Sequence, residues 1–367
     1  MSLDVDRIRA ALPVLQRVAY LNTGTFGPLP RATAEAMAAT ERMELEEGRS
    51  GPQYFPHLRE LRDRARAGLA AAVNADPASV ALTRATTDGC NIVVAGLRLG
   101  PEDEVVTTDL EHYGLLGALG VSPARVRVVR LLDRPAADAL DAIRAEVGPR
   151  TRLIAVSHVA WSTGQVLPIA ELASLGVPVL VDGAQGAGAV PVDVQALGCD
   201  FYTISGQKWL LGPDATGGLY VRPDWHERLA VAAPSYYGQL GYEDDGTATP
   251  APGALRFDAG TMAAPSLAGL VASLEFGAAA GEERFARAAG LADVLRERLL
   301  AAGHEVVTEA GQATLVSWRP PTPAAELVPR LAERGVIVRD LPRLGWLRAS
   351  VGFWTSEGEL DRLVEAL

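Results

Sequence analysis

The chain carries 34 basic residues, and one of them is a lysine, Lys208, in the run Phe201-Tyr-Thr-Ile-Ser-Gly-Gln-Lys208-Trp. An arginine guanidinium stays protonated and makes a poor nucleophile. A lysine amine can lose its proton and condense with an aldehyde to a Schiff base. Codon preference alone would explain a rare lysine, so the neighbouring residues decide. Upstream lies Val181-Asp182-Gly-Ala-Gln185, at the end of an apolar run. An aspartate at the carboxyl end of a parallel strand sits at the ligand-binding edge of an α/β sheet. There it can hold the protonated nitrogen of a pyridine ring and keep that ring an electron sink. A lysine at the end of the following strand can reach an aldehyde on the ring, and Gln185 can bond the ring 3′ oxygen. The two strand ends together predict pyridoxal 5′-phosphate as cofactor.

Such a pair needs a sheet to hold it. Short apolar runs alternate with helix-like periodic ones, which predicts an α/β fold with a mainly parallel sheet. Strands are expected at 79–83, 104–108, 126–131, 153–157, 177–181, 201–205 and 217–221. A helix is expected from Asp88 to Leu97, capped by Thr86-Thr87-Asp88. Residues 234–252, rich in Gly, Pro, Tyr and Asp, are expected to form a long loop. A helical run from Pro265 to Ala280 leads into a second α/β region.

At 367 residues the chain is long enough for one large domain and a smaller companion. A net charge of −11 argues against nucleic acid or an anionic membrane as partner. No apolar run reaches the length of a membrane span. The start, Met1-Ser-Leu-Asp-Val-Asp, lacks the basic and apolar pattern of a secretory leader, so the cytoplasm is expected. Cys90 and Cys199 make no metal-ligand spacing, and no metal site is expected.

The chain resembles the class V aminotransferase group of fold type I pyridoxal-phosphate enzymes, which includes cysteine desulfurases and isopenicillin N epimerase-like proteins. The resemblance rests on ordered blocks along nearly the whole chain. They are Tyr20-Leu-Asn-Thr-Gly24, Thr83 to Gly89, Glu111-His112, Ser157 to Gly164, the Asp182/Gln185 block, Ser205 to Lys208, Arg256 to Thr261 and Arg348-Ala-Ser. It implies a large cofactor domain at 25–255 with a mostly parallel seven-stranded sheet, a small α/β domain at 256–367, and residues 1–24 packing on the small domain. It implies that Lys208 bonds the cofactor and moves the proton at Cα, that Asp182 pairs with the ring nitrogen, and that His112 stacks on the ring. Thr86, Thr87 and Asp88 would hold the phosphate at a helix N-terminus, joined by Ser205 and Gln207. Thr261 would reach the phosphate of a neighbouring subunit, which implies a homodimer with shared sites. Arg348 would clamp a substrate carboxylate, with Asn22 and Trp161 beside the substrate.

Departures from the pattern bear on the reaction. Gln207 stands where many relatives have histidine, and Trp161 where desulfurases have asparagine. The stretch Val338-Arg-Asp-Leu-Pro-Arg-Leu-Gly-Trp346 lacks the cysteine that desulfurases carry there, so a persulfide-forming desulfurase is not expected. Tyr236, Tyr237 or Tyr242 could wall the substrate site. The family name favours transamination of an amino acid or amine, with C–S lyase or epimerase activity as alternatives. A non-catalytic cofactor-sensing regulator is a lesser alternative, and a nicotinamide dehydrogenase a weak one.

Overall fold

The computed structural model describes residues 3–367. Its main element is a seven-stranded sheet in the order Val80–Thr83, Gly217–Val221, Phe201–Ser205, Val179–Asp182, Thr151–Ser157, Glu104–Thr108, Arg125–Val129. Gly217–Val221 runs antiparallel to both neighbours, and the remaining adjacent pairs are parallel. Strand residues alternate between two apolar layers, as the two-residue period of a strand requires. Ile154, Val181 and Ile204 face one layer, with Leu61, Leu69 and Leu270 from the helices Tyr54–Ala72 and Ala264–Ala279. Leu153, Leu180 and Phe201 face the other, with Val93 and Leu115 from the helices Thr86–Gly96 and Tyr113–Gly120. Both faces are covered, which is why the strand sequences read as nearly continuous apolar runs.

A second, four-stranded antiparallel sheet follows the helix Glu283–Ala301, in the order Glu305–Val306, Leu315–Arg319, Trp346–Ser350, Arg339–Leu341. The N-terminal strand Ala19–Tyr20 runs parallel to Val336–Ile337, so the chain's beginning is tied to its end. Beyond it, the Gly24 N–H donates to Ser350 Oγ at 3.1 Å.

Two sequence expectations change. The Asp88 helix begins two residues earlier, at Thr86, with Ala85 in the cap position, so the threonines form its first turn instead of preceding it. Residues 234–252 are not an unstructured loop. They contain an antiparallel hairpin of Gln239–Tyr242 and Ala248–Pro250, closed by Asp-Asp-Gly-Thr turn residues. Apart from half-buried Gln239 the hairpin is exposed, so it lacks the alternating apolar pattern that reveals a half-buried strand.

The two sheets meet at the loop after Thr151–Ser157. Gly164 adopts φ +76°, and a Cβ there would lie 2.3 Å from the Leu315 carbonyl oxygen. Gly164→Ala is expected to cost about 1–3 kcal/mol from strain and collision, read as a lower denaturation midpoint. It should also loosen the nearby Trp161.

Among the described residues no helix is long and apolar enough to cross a membrane. None of their His, Cys, Asp and Glu side chains cluster as metal ligands would.

Candidate active site

A cleft of about 250 Å³ opens at the carboxyl ends of the parallel strands. Asp182 ends the strand Val179–Asp182 and lines the cleft, 3% exposed. Its Oδ1 accepts the Ala184 N–H at 3.0 Å. Lys208 follows the strand Phe201–Ser205 through a tight turn and lines the same cleft. Burial draws the Lys208 ammonium down to about 8, Asp182 opposes that shift, and Arg348 and Arg339 add to it. The shift raises the share of free amine at physiological pH by more than a hundredfold over an ordinary lysine, and the free amine is the nucleophile.

Thr86 and Thr87 bring the first turn of an eleven-residue helix to the cleft, so free backbone N–H groups and the helix dipole are available to an anion. Ser205 and Gln207 stand opposite, with Ser205 Oγ donating to Gln207 Oε1 at 2.8 Å. His112 lines the cleft edge-on to Trp161, with ring centroids 5.3 Å apart. Its Nδ1 accepts the Gly114 N–H at 3.1 Å, which places the proton of the neutral ring on Nε2. Burial first, then Lys208, holds the His112 pKa below its ordinary value.

Gln185 is more committed than the sequence suggests. Its Nε2 donates to the Gly24 carbonyl at 2.8 Å, and its Oε1 accepts from Trp209 Nε1 at 2.8 Å. One amide hydrogen remains for a ligand.

Three expected residues do not line the cleft. The Asp88 carboxylate turns back to the Arg84 backbone N–H and Nε, and leaves the phosphate position to the threonines. Asn22 stands behind the lining, accepting from Thr25 Oγ1 at 2.8 Å. Thr261 is exposed and is not among the residues that line this chain's own cleft. The tyrosines of the hairpin region also lie elsewhere. Tyr236 and Tyr242 are exposed, and the Tyr237 ring packs on Arg62.

Arg348 is fully buried and lines the cleft from the small sheet. Its Nη1 donates to the Trp161 carbonyl at 2.7 Å, while Nε and Nη2 have no partner. Burial, with Arg339, pulls this guanidinium down to about 9, still protonated at neutral pH. Arg339 is a cleft residue that the sequence motifs miss. It is the direct cross-strand partner of Arg348, and its Nη1 donates to Thr25 Oγ1 at 3.2 Å. Neither cysteine lines the cleft. Both thiols are buried, and burial pushes Cys199 up to about 12 and Cys90 higher than its usual range.

The donor set fits pyridoxal phosphate. A buried carboxylate, an amine whose proton is loosened by burial, a helix N-terminus and an imidazole surround one cleft, and Arg348 keeps two buried donors free for a carboxylate.

Known proteins agree with that fit. The model of the "Aminotransferase class-V" family matches residues 20–363. Isopenicillin N epimerase from Streptomyces clavuligerus is 34% identical over 398 aligned residues, covering 99% of this chain and 98% of the relative. A probable cysteine desulfurase from Pseudomonas aeruginosa is 35% identical, covering 86% of this chain and 84% of its own. Among solved structures, a complex of the cystine C–S lyase C-DES with its product cysteine persulfide is 33% identical, with a TM-score of 0.89. It covers 96% of this chain and 98% of that one. A C-DES mutant with glycine covalently linked to its pyridoxal-phosphate cofactor superimposes with a TM-score of 0.90 at 32% identity, covering 97% of this chain and 98% of its own.

Proposed function

The chain belongs to the class V aminotransferase family of pyridoxal-phosphate enzymes, and from that premise we propose that it is a β-eliminating C–S lyase. Its substrate would be an S-substituted cysteine bearing a second carboxylate. The observation that carries this reading is the pairing of Arg339 opposite Arg348 on adjacent strands, both facing the cleft of Lys208. Like charges directly opposite in a sheet repel. A ligand with two carboxylates would turn that repulsion into two attractions. The absence of a thiol from the lining supports a reaction in which sulfur departs with a fragment of the substrate and is not taken by the protein.

Bound pyridoxal phosphate supplies an electron sink for the bonds at Cα. The protein groups do the rest. Arg348 holds the α-carboxylate through Nε and Nη2, and Arg339 holds the distal one. Asp182 keeps the proton on the ring nitrogen. Thr86, Thr87, Ser205 and Gln207 seat the phosphate. Lys208 takes the proton from Cα. The Cβ–S bond then breaks with its electron pair on sulfur, and His112 or solvent returns a proton to the thiolate. Water completes the reaction by releasing pyruvate and ammonia.

A second reading, epimerisation, is supported by the near full-length likeness to isopenicillin N epimerase and by two proton-carrying groups, Lys208 and His112, in one cleft. Thr261, exposed and not lining its own cleft, supports a homodimer in which each subunit completes the other's phosphate site.

The test is to incubate the enzyme and cofactor with cystine, S-alkyl cysteines and simple amino acids. Pyruvate, ammonia and a thiol or persulfide are expected with cystine, more slowly with S-methyl cysteine. Accumulation of pyridoxamine phosphate that an oxo acid reverses would make it an aminotransferase. Inversion of Cα without release of sulfur would make it an epimerase. The double variant Cys90→Ala, Cys199→Ala is expected to retain product formation. Its loss, with the fold intact by circular dichroism, would reinstate a protein thiol in the reaction.

A further inference from the structure

Glu111 is a buried carboxylic acid that the steps above leave unused. It follows the strand Glu104–Thr108 and is 4% exposed. Both of its oxygens are taken by hydroxyl donors. Thr108 Oγ1 donates to Oε1 at 2.6 Å, and Ser157 Oγ donates to Oε2 at 2.6 Å. Ser157 is the last residue of its strand and the direct cross-strand partner of Asp182, and both line the cleft. A short hydrogen bond therefore ties a closed interior carboxyl to Ser157, whose cross-strand neighbour is Asp182.

No cation stands against Glu111 in this arrangement. The titratable groups that act on it or feel it are Asp182, from the strand beyond that of Ser157, and the Cys90 thiol from the helix Thr86–Gly96. Cys90 stays neutral because burial raises it. The Glu111 carboxyl is raised to about 7, by burial first, with Asp182 adding to the rise and the Ser157 and Thr108 hydroxyls opposing it. A buried acid beside a carboxylate is protonated at mildly acidic pH and gains a negative charge near neutrality.

We propose that Glu111 is a positioning residue of the cofactor site, which through Ser157 and its own charge sets how firmly Asp182 holds the proton on the pyridine nitrogen. Neutral Glu111 leaves Asp182 to do this alone. Ionised Glu111 places a second negative charge behind it and raises the proton affinity of the ring nitrogen. The inference rests on Asp182 facing that nitrogen, as in the proposed function.

The test uses holoenzyme reconstituted with pyridoxal phosphate labelled with nitrogen-15 in the ring, followed by the ring 15N chemical shift from acidic to alkaline pH. In the wild type a step centred near neutrality is expected. Glu111→Gln, which keeps the shape and removes the charge, is expected to abolish that step, and Ser157→Ala to shrink it. A Glu111→Gln profile that superimposes on the wild type overturns the proposal. Should that variant fail to fold, Ser157→Ala decides, and a wild-type profile there overturns the proposal equally. Asp182→Asn separates the two ideas. If it too leaves the ring nitrogen unmoved, the assignment of Asp182 has failed. If it moves the signal while Glu111→Gln does not, the failure belongs to Glu111.

The apoprotein gives a second readout. A carboxyl whose folded pKa is raised contributes stability fully present below its unfolded pKa and lost as pH rises through about 7. The melting temperature of the wild type is therefore expected to fall relative to Glu111→Gln across that window. Parallel curves would overturn the titration of Glu111.

Discussion

Replacing Lys208 by alanine is expected to lower kcat by roughly 10⁴-fold, the upper end of what a positioned proton-transfer group contributes. The folded state should survive. The expectation follows from the place of Lys208 in the cleft and from burial drawing its ammonium down to about 8. Lys208→Arg should do no better, because a guanidinium keeps its proton and cannot bond an aldehyde. Borohydride gives an independent check. In the wild type it should fix the cofactor covalently to a single peptide containing Lys208, and in the alanine variant it should fix nothing. A variant that retained turnover within tenfold of the wild type would remove Lys208 from the reaction.

Arg348 should show opposite signs in activity and stability. Its Nε and Nη2 are buried without a partner. Truncating a buried charge that pairs with a ligand costs about 2–5 kcal/mol, which is roughly 30- to 5,000-fold in kcat/KM at 1.36 kcal/mol per tenfold. Arg348→Met keeps an unbranched apolar stem and removes the guanidinium and its charge. In the apoprotein it also removes a desolvated cation that faces Arg339 across the strand pair. Replacing buried charges with packed apolar groups is often neutral or stabilising by about 1–4 kcal/mol. The apoprotein should thus melt at the same temperature or higher, while substrate processing collapses. Arg348→Lys should recover little, because an ammonium cannot reproduce the two-pronged grip on a carboxylate. A variant that lost stability and activity together would mark Arg348 as a support of the fold.

The sequence exposes those parts of the site that sit where a strand stops. Asp182 and Lys208 are legible because an apolar run ends at each and a turn begins, which is how a parallel sheet presents ligands. Thr86 and Thr87 are legible as a helix start, although the frame slips by two residues because the cap is Ala85, a residue without capping chemistry. Arg339 escapes notice because its significance is its cross-strand position opposite Arg348, and pairing register leaves no trace in local composition. The reversed direction of Gly217–Val221 escapes for the same reason, since a buried strand is apolar whichever way it runs. Glu111 is conspicuous in the sequence only as the neighbour of His112. What distinguishes it is the pair of hydroxyls that fold against it from Thr108 and Ser157. The resemblance to class V enzymes supplies the roles, and the cleft brings together all but Asp88, Asn22 and Thr261 of the residues it nominates.

The bond from Gly24 to Ser350 has a consequence for how the molecule comes into being. As the chain leaves the ribosome, the large sheet can close once Gly217–Val221 has emerged, because all seven of its strands are then available. The cleft cannot. Its rim needs Gly24 and Thr25 from the beginning of the chain and Arg339 and Arg348 from near its end. Until translation has passed Ser350, the nascent protein holds Asp182 and Lys208 on an open, wet edge. Capture of the cofactor is therefore a late event, and a ribosome stalled before that point should carry a chain with a folded sheet that binds pyridoxal phosphate weakly.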